Sequence, residues 1–438
     1  MNILIIAYAS EPGAGSEYGV GWMVPVTLAE QYPEEQFYVL TRSRCREKIE
    51  MKLAEKKLQN LHFYFYEVPK WLSYTNELKS NWGEQINYLI WQLSVRKYAK
   101  KLHRQIGFSV VHHLTFNQYR TPSPGFWMDA PFVFGPIGGA ETIAPAFWQD
   151  LEEHSRRKEQ IRLKGRDLKI FRWYTTRKNN KKVILCSCGE NLRRLQPYAK
   201  NCEVRLMPAI AYTPDDFKTM PAKESAKTMR MLYAGKAWDW KGIHIFLKAV
   251  KKALDDKGIY DWRLKLIGIR FKEEQEKVTG WINELELTKR VQLVPFIQRS
   301  DLLQLMSTCS LSVYPAFRDS GSMSVLEASA LGCPTLCFDA GGQDVFPDDI
   351  LLKVAVGNDY ESTLNNLVEK ISWAYAHKEE IKNIGLKAQQ WVSEHMTWKK
   401  KATEFMEIYK KIAPPQPSPV GREAPPQPSP IGRELNEE

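Results

Sequence analysis

Between Leu311 and Gly342 the chain reads LSVYPAFRDSGSMSVLEASALGCPTLCFDAGG. The apolar run Leu311 to Tyr314 has the length and composition of a buried strand. A loop of small residues follows, Asp319-Ser320-Gly321-Ser322-Met323-Ser324; Val325 to Leu331 has helical spacing, and Pro334 to Phe338 closes the unit as a second strand. Strand, loop, helix and strand in this order build a parallel α/β sheet. Gly and Ser in the loop let its backbone N–H groups approach a ligand without side chains in the way. The loop also opens a helix, whose first N–H groups lack internal partners and carry partial positive charge. Together these features suit a phosphate or pyrophosphate. Asp319 precedes the loop and Glu327 stands eight positions on, inside the helix. On one regular helix the two would sit about 80° apart, but with a loop between them they can flank a bound molecule. Glu327 is then free to accept hydrogen bonds from hydroxyls such as a ribose diol. The same spacing equally serves a Glu327 that caps or salt-bridges an ordinary αβ unit.

Outward from this unit, short apolar runs alternate with helical patterns almost throughout. In the first half strands are predicted near Ile3–Tyr8, Phe37–Thr41, His62–Val68, Val110–His113, Phe132–Phe134, Val183–Ser187 and Val204–Met207. Helices are predicted near Gly21–Gln31, Arg46–Lys57, Asn81–Gln105 and Glu190–Leu195, with one longer basic helix inside 145–180. The pattern restarts at Met229–Tyr233, with further strands at Leu264–Gly268 and Gln292–Pro295. Helices there are predicted near Gly242–Asp256, Lys272–Leu285, Asp301–Ser307, Ser362–Ala376, Lys378–Lys387 and Lys399–Ile412. A chain of 438 residues exceeds what one core usually supports. The predicted division is a first domain over 1–207, a connector over 208–225, a second domain over 226–390, a terminal helix over 391–412 and a tail over 413–438. The tail reads APPQPSPVGRE and then APPQPSPIGRE, an 11-residue unit given twice, Pro-rich and without a core-forming pattern.

Seven cysteines without regular spacing argue against a disulfide framework and for a reducing compartment. The first ten residues are apolar but lack a basic leader, so they read as a strand and not as a signal peptide. No run approaches the ~18 apolar residues of a membrane span. A cytoplasmic protein is expected, with the option of touching a membrane from that side. The formal charge of +11 is concentrated: His154 to Lys182 holds 12 Lys/Arg and 2 acids. Apolar Ile161, Leu163, Leu168, Ile170, Phe171, Trp173 and Tyr174 interleave with those charges, which fits a helix lying on a membrane surface or on the rest of the protein. The segment suits an anionic membrane surface, and a solvated helix face is the plainer alternative.

Other loops stand where open α/β sheets bind ligands, at the carboxyl ends of strands. Gly235-Lys236-Ala237-Trp238-Asp239-Trp240-Lys241-Gly242 places two lysines five apart at the mouth of a helix. Gly13, Gly15, Ser16 and Glu17 lie in the loop after the first strand. His112 and His113 end another strand; because strand neighbours face opposite ways, at most one lines a cleft, with His113 the candidate and His112 the alternative. Gly135-Pro136-Ile137-Gly138-Gly139-Ala140-Glu141 gives a further glycine-rich loop. No Asp-x-Asp and no clustered His, Cys and carboxylate set lies in these motifs, so no metal site is expected.

Asp319 to Glu327 resembles the Glu-x7-Glu motif of the retaining family-4 (group 1) glycosyltransferases, with Asp in place of the first Glu. Ala328 to Pro334 and Gly341-Gly342 are similar to that family's pattern too. Gly235-Lys236 through Lys241-Gly242 resembles its Gly-Arg-x4-Lys-Gly, with Lys236 supplying the charge of the Arg but not its bidentate fork. The resemblance covers about Met1 to Ile412. It implies the GT-B architecture, two Rossmann-like domains facing across a cleft, with the terminal helix crossing back to the first. It implies a metal-independent transfer of a hexose-type sugar from a nucleotide diphosphate to a hydroxyl, with retention and no cofactor beyond that co-substrate. On this resemblance Lys236, Lys241, Gly321, Ser322, Met323 and Ser324 hold the donor diphosphate and Glu327 its ribose. Asp319, Lys241 and His113 are the catalytic candidates. Gly13, Gly15, Ser16, Glu17, His112, Gly138, Gly139 and Glu141 face the acceptor side. A glycan or lipid-linked acceptor is expected, and nucleic acid is not. A nucleotide-sugar epimerase of similar fold, or a non-catalytic basic nucleic-acid- or sugar-binding protein, remains an alternative reading.

Overall fold

In the first strand Ile3 and Ile5 face one way and Leu4 and Ile6 the other, and all four are fully buried. Such a strand needs cover on both faces, the condition of a parallel sheet sandwiched by helices. The computed structural model describes residues 1–68, 81–178, 180–217 and 228–415. The expected connector beyond Phe217 and the repeat tail from 416 on lie outside the described residues.

The first sheet comprises β1 (Asn2–Ile6), β2 (Gln36–Thr41), β3 (Leu61–Phe65), β4 (Val110–His113), β5 (Phe132–Ile137), β6 (Lys182–Cys186) and β7 (Glu203–Leu206). Its order is β3-β2-β1-β4-β5-β6-β7, and every pairing is parallel. The second sheet comprises β8 (Met229–Ala234), β9 (Trp262–Ile267), β10 (Val291–Val294), β11 (Leu311–Tyr314), β12 (Thr335–Phe338) and β13 (Leu352–Val354). Its order is β10-β9-β8-β11-β12-β13, again parallel. Strand order reverses between β1 and β4 in the first sheet and between β8 and β11 in the second. At such a reversal successive helices leave to opposite faces and a crevice opens at the carboxyl ends of the strands.

Two differences from expectation have local causes. The single basic helix expected within 145–180 is two helices, Glu153–Leu163 and Arg166–Thr175, broken at Gly165 with φ of 61°. The strand β13, absent from the sequence expectations, is only three residues long, its pairing with β12 confined to Leu352–Val354 within the apolar run Ile350–Val356.

Among the described residues two stretches cross between the lobes. Helix Trp398–Ile412 lies on the first sheet, with Phe405, Ile408 and Tyr409 in one core with Ile3, Ile5 and Val110. It crosses beside the connector: Tyr212 N–H donates to the Met396 carbonyl at 3.0 Å and Trp398 N–H to the Tyr212 carbonyl at 3.2 Å. The other is a strap from the first half. Ile143, Phe147 and Leu151, around the 3-10 turn Pro145–Asp150, sit in the core of the second lobe. The Phe147 ring stacks on Phe317 at 4.1 Å. The Asp150 side chain, 2% exposed, accepts from Tyr360 OH at 3.1 Å and faces His244 at 3.1 Å.

Candidate active site

The loops after β8 and β11 leave neighbouring strands at the reversal of the second sheet, so Lys236 to Lys241 and Asp319 to Ser324 are brought side by side. Lys241 Nζ donates to Tyr314 OH at 2.9 Å and contacts Asp319 Oδ2, which the Tyr314 hydroxyl also meets. Asp319 Oδ1 accepts from Gly321 N–H at 3.1 Å. Burial alone would push the Asp319 carboxyl up, but the Lys241 ammonium, with hydrogen bonds from Lys241, Tyr314 and Gly321, outweighs it and the net shift is downward. The carboxylate is therefore held ionised against its lysine.

Glycines make this approach sterically open. Gly242 has φ of 70°, and a Cβ there would stand 1.8 Å from the Pro315 carbonyl oxygen. Only glycine lets the chain after Lys241 pass that close to the end of β11. Gly341 has φ of 62°, and a Cβ there would stand 2.7 Å from the Asp319 carbonyl oxygen. Gly342 N–H then donates to that carbonyl at 2.6 Å, fixing the backbone under the carboxylate.

Helix Met323–Ala330 opens from the same loop. Of the four N–H groups expected to cradle a diphosphate, two are engaged: Gly321's on Asp319 and Met323's on the Gly321 carbonyl at 3.1 Å. Those of Ser322 and Ser324 carry no such bond. Glu327, on this helix and buried, accepts from Arg299 Nε at 2.9 Å. Burial raises the Glu327 carboxyl, and Arg299 offsets this only in part. The salt-bridge reading of Glu327 is thus realised in the structure, with one carboxylate oxygen on Arg299. Lys236 lies over the Trp238 ring at 4.2 Å. Burial pulls its pKa down, Glu274 opposes this, and Lys241 acts on it as a neighbouring like charge. The two lysines therefore feel each other across the same crevice.

The first lobe meets this crevice at two places. Gly139 N–H donates to Ser320 Oγ at 3.3 Å, so the Gly138–Gly139 loop touches the Asp319–Ser324 loop directly. Glu84, on helix Asn81–Ile106, acts electrostatically on Lys236 and accepts from Tyr18 OH at 3.0 Å. Tyr18 belongs to the first turn of helix Ser16–Gln31, behind Gly13, Gly15 and Ser16. Gly13, Gly15 and Ser16 are exposed, and Glu17 turns to accept from Phe116 N–H at 3.0 Å.

Three residues expected at the acceptor side or the reacting centre are placed elsewhere. His112 is fully buried beneath the terminal helix, with Nδ1 2.5 Å from Tyr409 OH and Nε2 2.7 Å from the Gly135 carbonyl. It holds the crossing helix and lines no cleft. Burial draws its pKa down to about 4. Glu141 is turned inward, accepting from Gly139 N–H at 2.9 Å and Asn191 Nδ2 at 2.6 Å, so it shapes the loop from below. His113 faces the opposite side of the sheet from His112, as strand alternation requires. It too is enclosed, with Nε2 3.0 Å from the Thr115 carbonyl and 3.5 Å from Tyr88 OH, and burial draws its pKa down to about 3. In this structure it offers no atom to the crevice.

Part of the basic segment 154–182 also faces inward. Arg162 donates to the carbonyls of Gly139 at 2.7 Å and Glu141 at 3.0 Å. Glu159, 1% exposed, takes Arg318 of the second lobe at 2.9 Å. Among the described residues no group of three or more His, Cys, Asp or Glu is arranged to hold a metal ion.

Residues 216–391 match the model of a family described as glycosyl transferases group 1. That span is similar to the group 1 glycosyl transferases. Three solved structures align along nearly their whole length. Sucrose-phosphate synthase from Thermosynechococcus elongatus superposes with a TM-score of 0.61 at 16% identity, covering 94% of this chain and 98% of that one. HepE of Anabaena, solved with UDP and glucose, superposes at 0.59 with 13% identity, covering 94% and 100%. WaaG, a glycosyltransferase involved in lipopolysaccharide biosynthesis, superposes at 0.58 with 13% identity, covering 93% and 99%. No curated protein matches the chain in sequence. The fold is GT-B, and Lys236, Lys241, Asp319 and Glu327 all fall inside the matched span.

Tyr314, Arg299, Ser320 and Glu84 were not singled out in the sequence. Tyr314 is legible in retrospect as the last residue of the strand that delivers Asp319. Arg299 and Glu84 reach the site from outside any motif.

Proposed function

We propose that the protein is a cytoplasmic glycosyltransferase that moves a sugar from a nucleoside diphosphate to a hydroxyl of a glycan or lipid-linked acceptor, with retention at the anomeric carbon. Synthesis of a surface polysaccharide or glycolipid is the setting that fits such an acceptor. The observation that carries the reading is the Lys241–Asp319–Tyr314 cluster at the mouth of helix Met323–Ala330, facing the Gly138–Gly139 loop.

The free site is internally neutralised, since Lys241 is paired with Asp319 and Arg299 with Glu327. Donor binding then works by exchange. The diphosphate replaces the Asp319 carboxylate on Lys241, drawing further on Lys236 and the N–H groups of Ser322 and Ser324. Asp319, released, accepts a hydroxyl of the donor sugar and orients it. Glu327 uses the oxygen not held by Arg299 for the ribose. As the bond from the anomeric carbon to the diphosphate breaks, charge grows on the departing oxygen, where preorganised cations stabilise it most. No divalent ion is required in this reading.

UDP, bound in the HepE structure, is the natural first probe. A thermal-shift panel of nucleoside diphosphates and their sugars tests the reading, because a ligand of the native state raises its apparent stability. A selective upward shift with one nucleotide series supports it; no shift with any of them removes it.

A further inference from the structure

Helix Asn81–Ile106 carries no Asp or Glu from Gln85 to its end, and five Lys or Arg. At about 100° per residue, Ile86, Leu89, Leu93, Lys97, Lys100 and Arg104 fall within about 80° of one another, a single outward stripe. Its first half is apolar and open to solvent: Leu93 is 58% exposed and Leu89 44%. Its second half is basic. Helix Arg166–Thr175 presents the same combination, with Ile170 and Trp173 about half exposed, each next to a cation in sequence, Lys169 and Arg172. The two surfaces are continuous. Arg96 packs over Trp127 at 5.4 Å, and Trp127 meets Trp173 edge-on at 6.4 Å. Lys100 and Lys178, one from each side, both act on Asp129.

The stripe also has a direction. Its N-terminal end lies toward the crevice: Glu84 accepts from Tyr18 OH at 3.0 Å and acts electrostatically on Lys236. Ile86 follows two residues later, only about 3 Å further along the helix axis. Exposed Leu and Trp side chains ringed by cations, beside the mouth of a substrate cleft, match the chemistry of a bilayer with anionic headgroups.

We propose that this face, Ile86, Leu89 and Leu93 together with Ile170 and Trp173, seats the first lobe on an anionic bilayer with the crevice mouth toward the lipid. It deepens the acceptor reading above and rests on it: an amphiphilic acceptor would reach the crevice from the membrane plane. Docking uses a surface separate from the donor site, so the two are measured apart.

The test is flotation of the full chain with vesicles of phosphatidylcholine, alone or mixed with phosphatidylglycerol. The wild type is expected to float with the mixed vesicles and not with phosphatidylcholine alone. Leu89→Ser with Leu93→Ser should lower the partition at least tenfold. Lys97→Gln, Lys100→Gln and Arg104→Gln together should lower it about a hundredfold. Both variants should bind a nucleoside diphosphate as the wild type does, which reads folding and the donor site independently of docking. Equal flotation of the wild type and the leucine variant would overturn the proposal. So would a concentration-dependent dimer that the leucine changes abolish, which would assign the face to a second copy. Binding of duplex nucleic acid that needs the charges but not the leucines would assign it to a polyanion and overturn it as well.

Discussion

Replacing Lys241 by methionine keeps most of the side-chain volume but leaves Asp319 without its cation. Opposite charges in contact at an effective dielectric near 20 attract by about 5 kcal/mol, gross of desolvation. Both side chains are largely enclosed, 15% and 18% exposed, so stranding the carboxylate is expected to cost about 3 kcal/mol of stability. Tyr314 and Gly321 N–H remain as its partners and keep the loss from growing. Adding Asp319→Asn removes the stranded charge and should restore most of that stability, as read by urea unfolding. Ligand binding should behave differently, and this separates a structural pair from a working one. Lys241→Met should weaken a nucleoside diphosphate about a hundredfold by calorimetry, in line with the loss of one preorganised cation. The double variant should stay as weak. Asp319→Asn alone should tighten the same ligand severalfold, because the lysine no longer has a competing carboxylate. If Lys241→Met binds the diphosphate like the wild type, or Asp319→Asn weakens it as much as Lys241→Met does, the exchange argument is refuted.

Glu327→Gln should weaken a nucleoside diphosphate at least tenfold yet leave inorganic pyrophosphate unchanged; equal weakening of both would place Glu327 away from the ribose. Phe147→Ala should destabilise the second lobe by about 3–5 kcal/mol in urea unfolding, because the ring is fully buried against Phe317. A change below about 1 kcal/mol would show that the strap is not part of that core. His112 is neutral in the fold, its pKa drawn by burial from 6.5 to about 4. The unfolded chain therefore takes up a proton below pH 6.5 that the fold refuses. Its stabilising contribution is fully present above that pH and falls as pH drops toward 4, by about 3 kcal/mol in all. His112→Gln should flatten the pH dependence of stability in that window by up to one proton; an unaltered slope would contradict the buried, neutral assignment.

The strand periods and the loop chemistry were open to reading because each is local. Leu311–Tyr314, the small-residue loop and the helix after it follow from composition and spacing, and β4 and β11 have the boundaries predicted. The pairing of Lys241 with Asp319 needs the reversal of strand order between β8 and β11, which no local pattern encodes. His112 illustrates the same limit. Alternation showed that the two histidines face opposite ways, but that a helix 297 residues away would cover one of them is tertiary information. Glu141 and Arg162 look in sequence like a motif acid and a surface charge. Both are absorbed in bracing the Gly138–Gly139 loop because burial beneath that loop demands partners for its amide and carbonyl groups. The strap through Phe147 was also invisible, since an apolar turn between two strands carries no mark of which lobe will bury it.

The most direct test is a crystal structure of the protein with a nucleoside-diphosphate sugar bound. The account predicts the diphosphate on Lys241 and at the mouth of helix Met323–Ala330, Asp319 turned from Lys241 to the sugar, and the ribose on Glu327. A diphosphate bound elsewhere, with the Lys241–Asp319 contact intact, would contradict it.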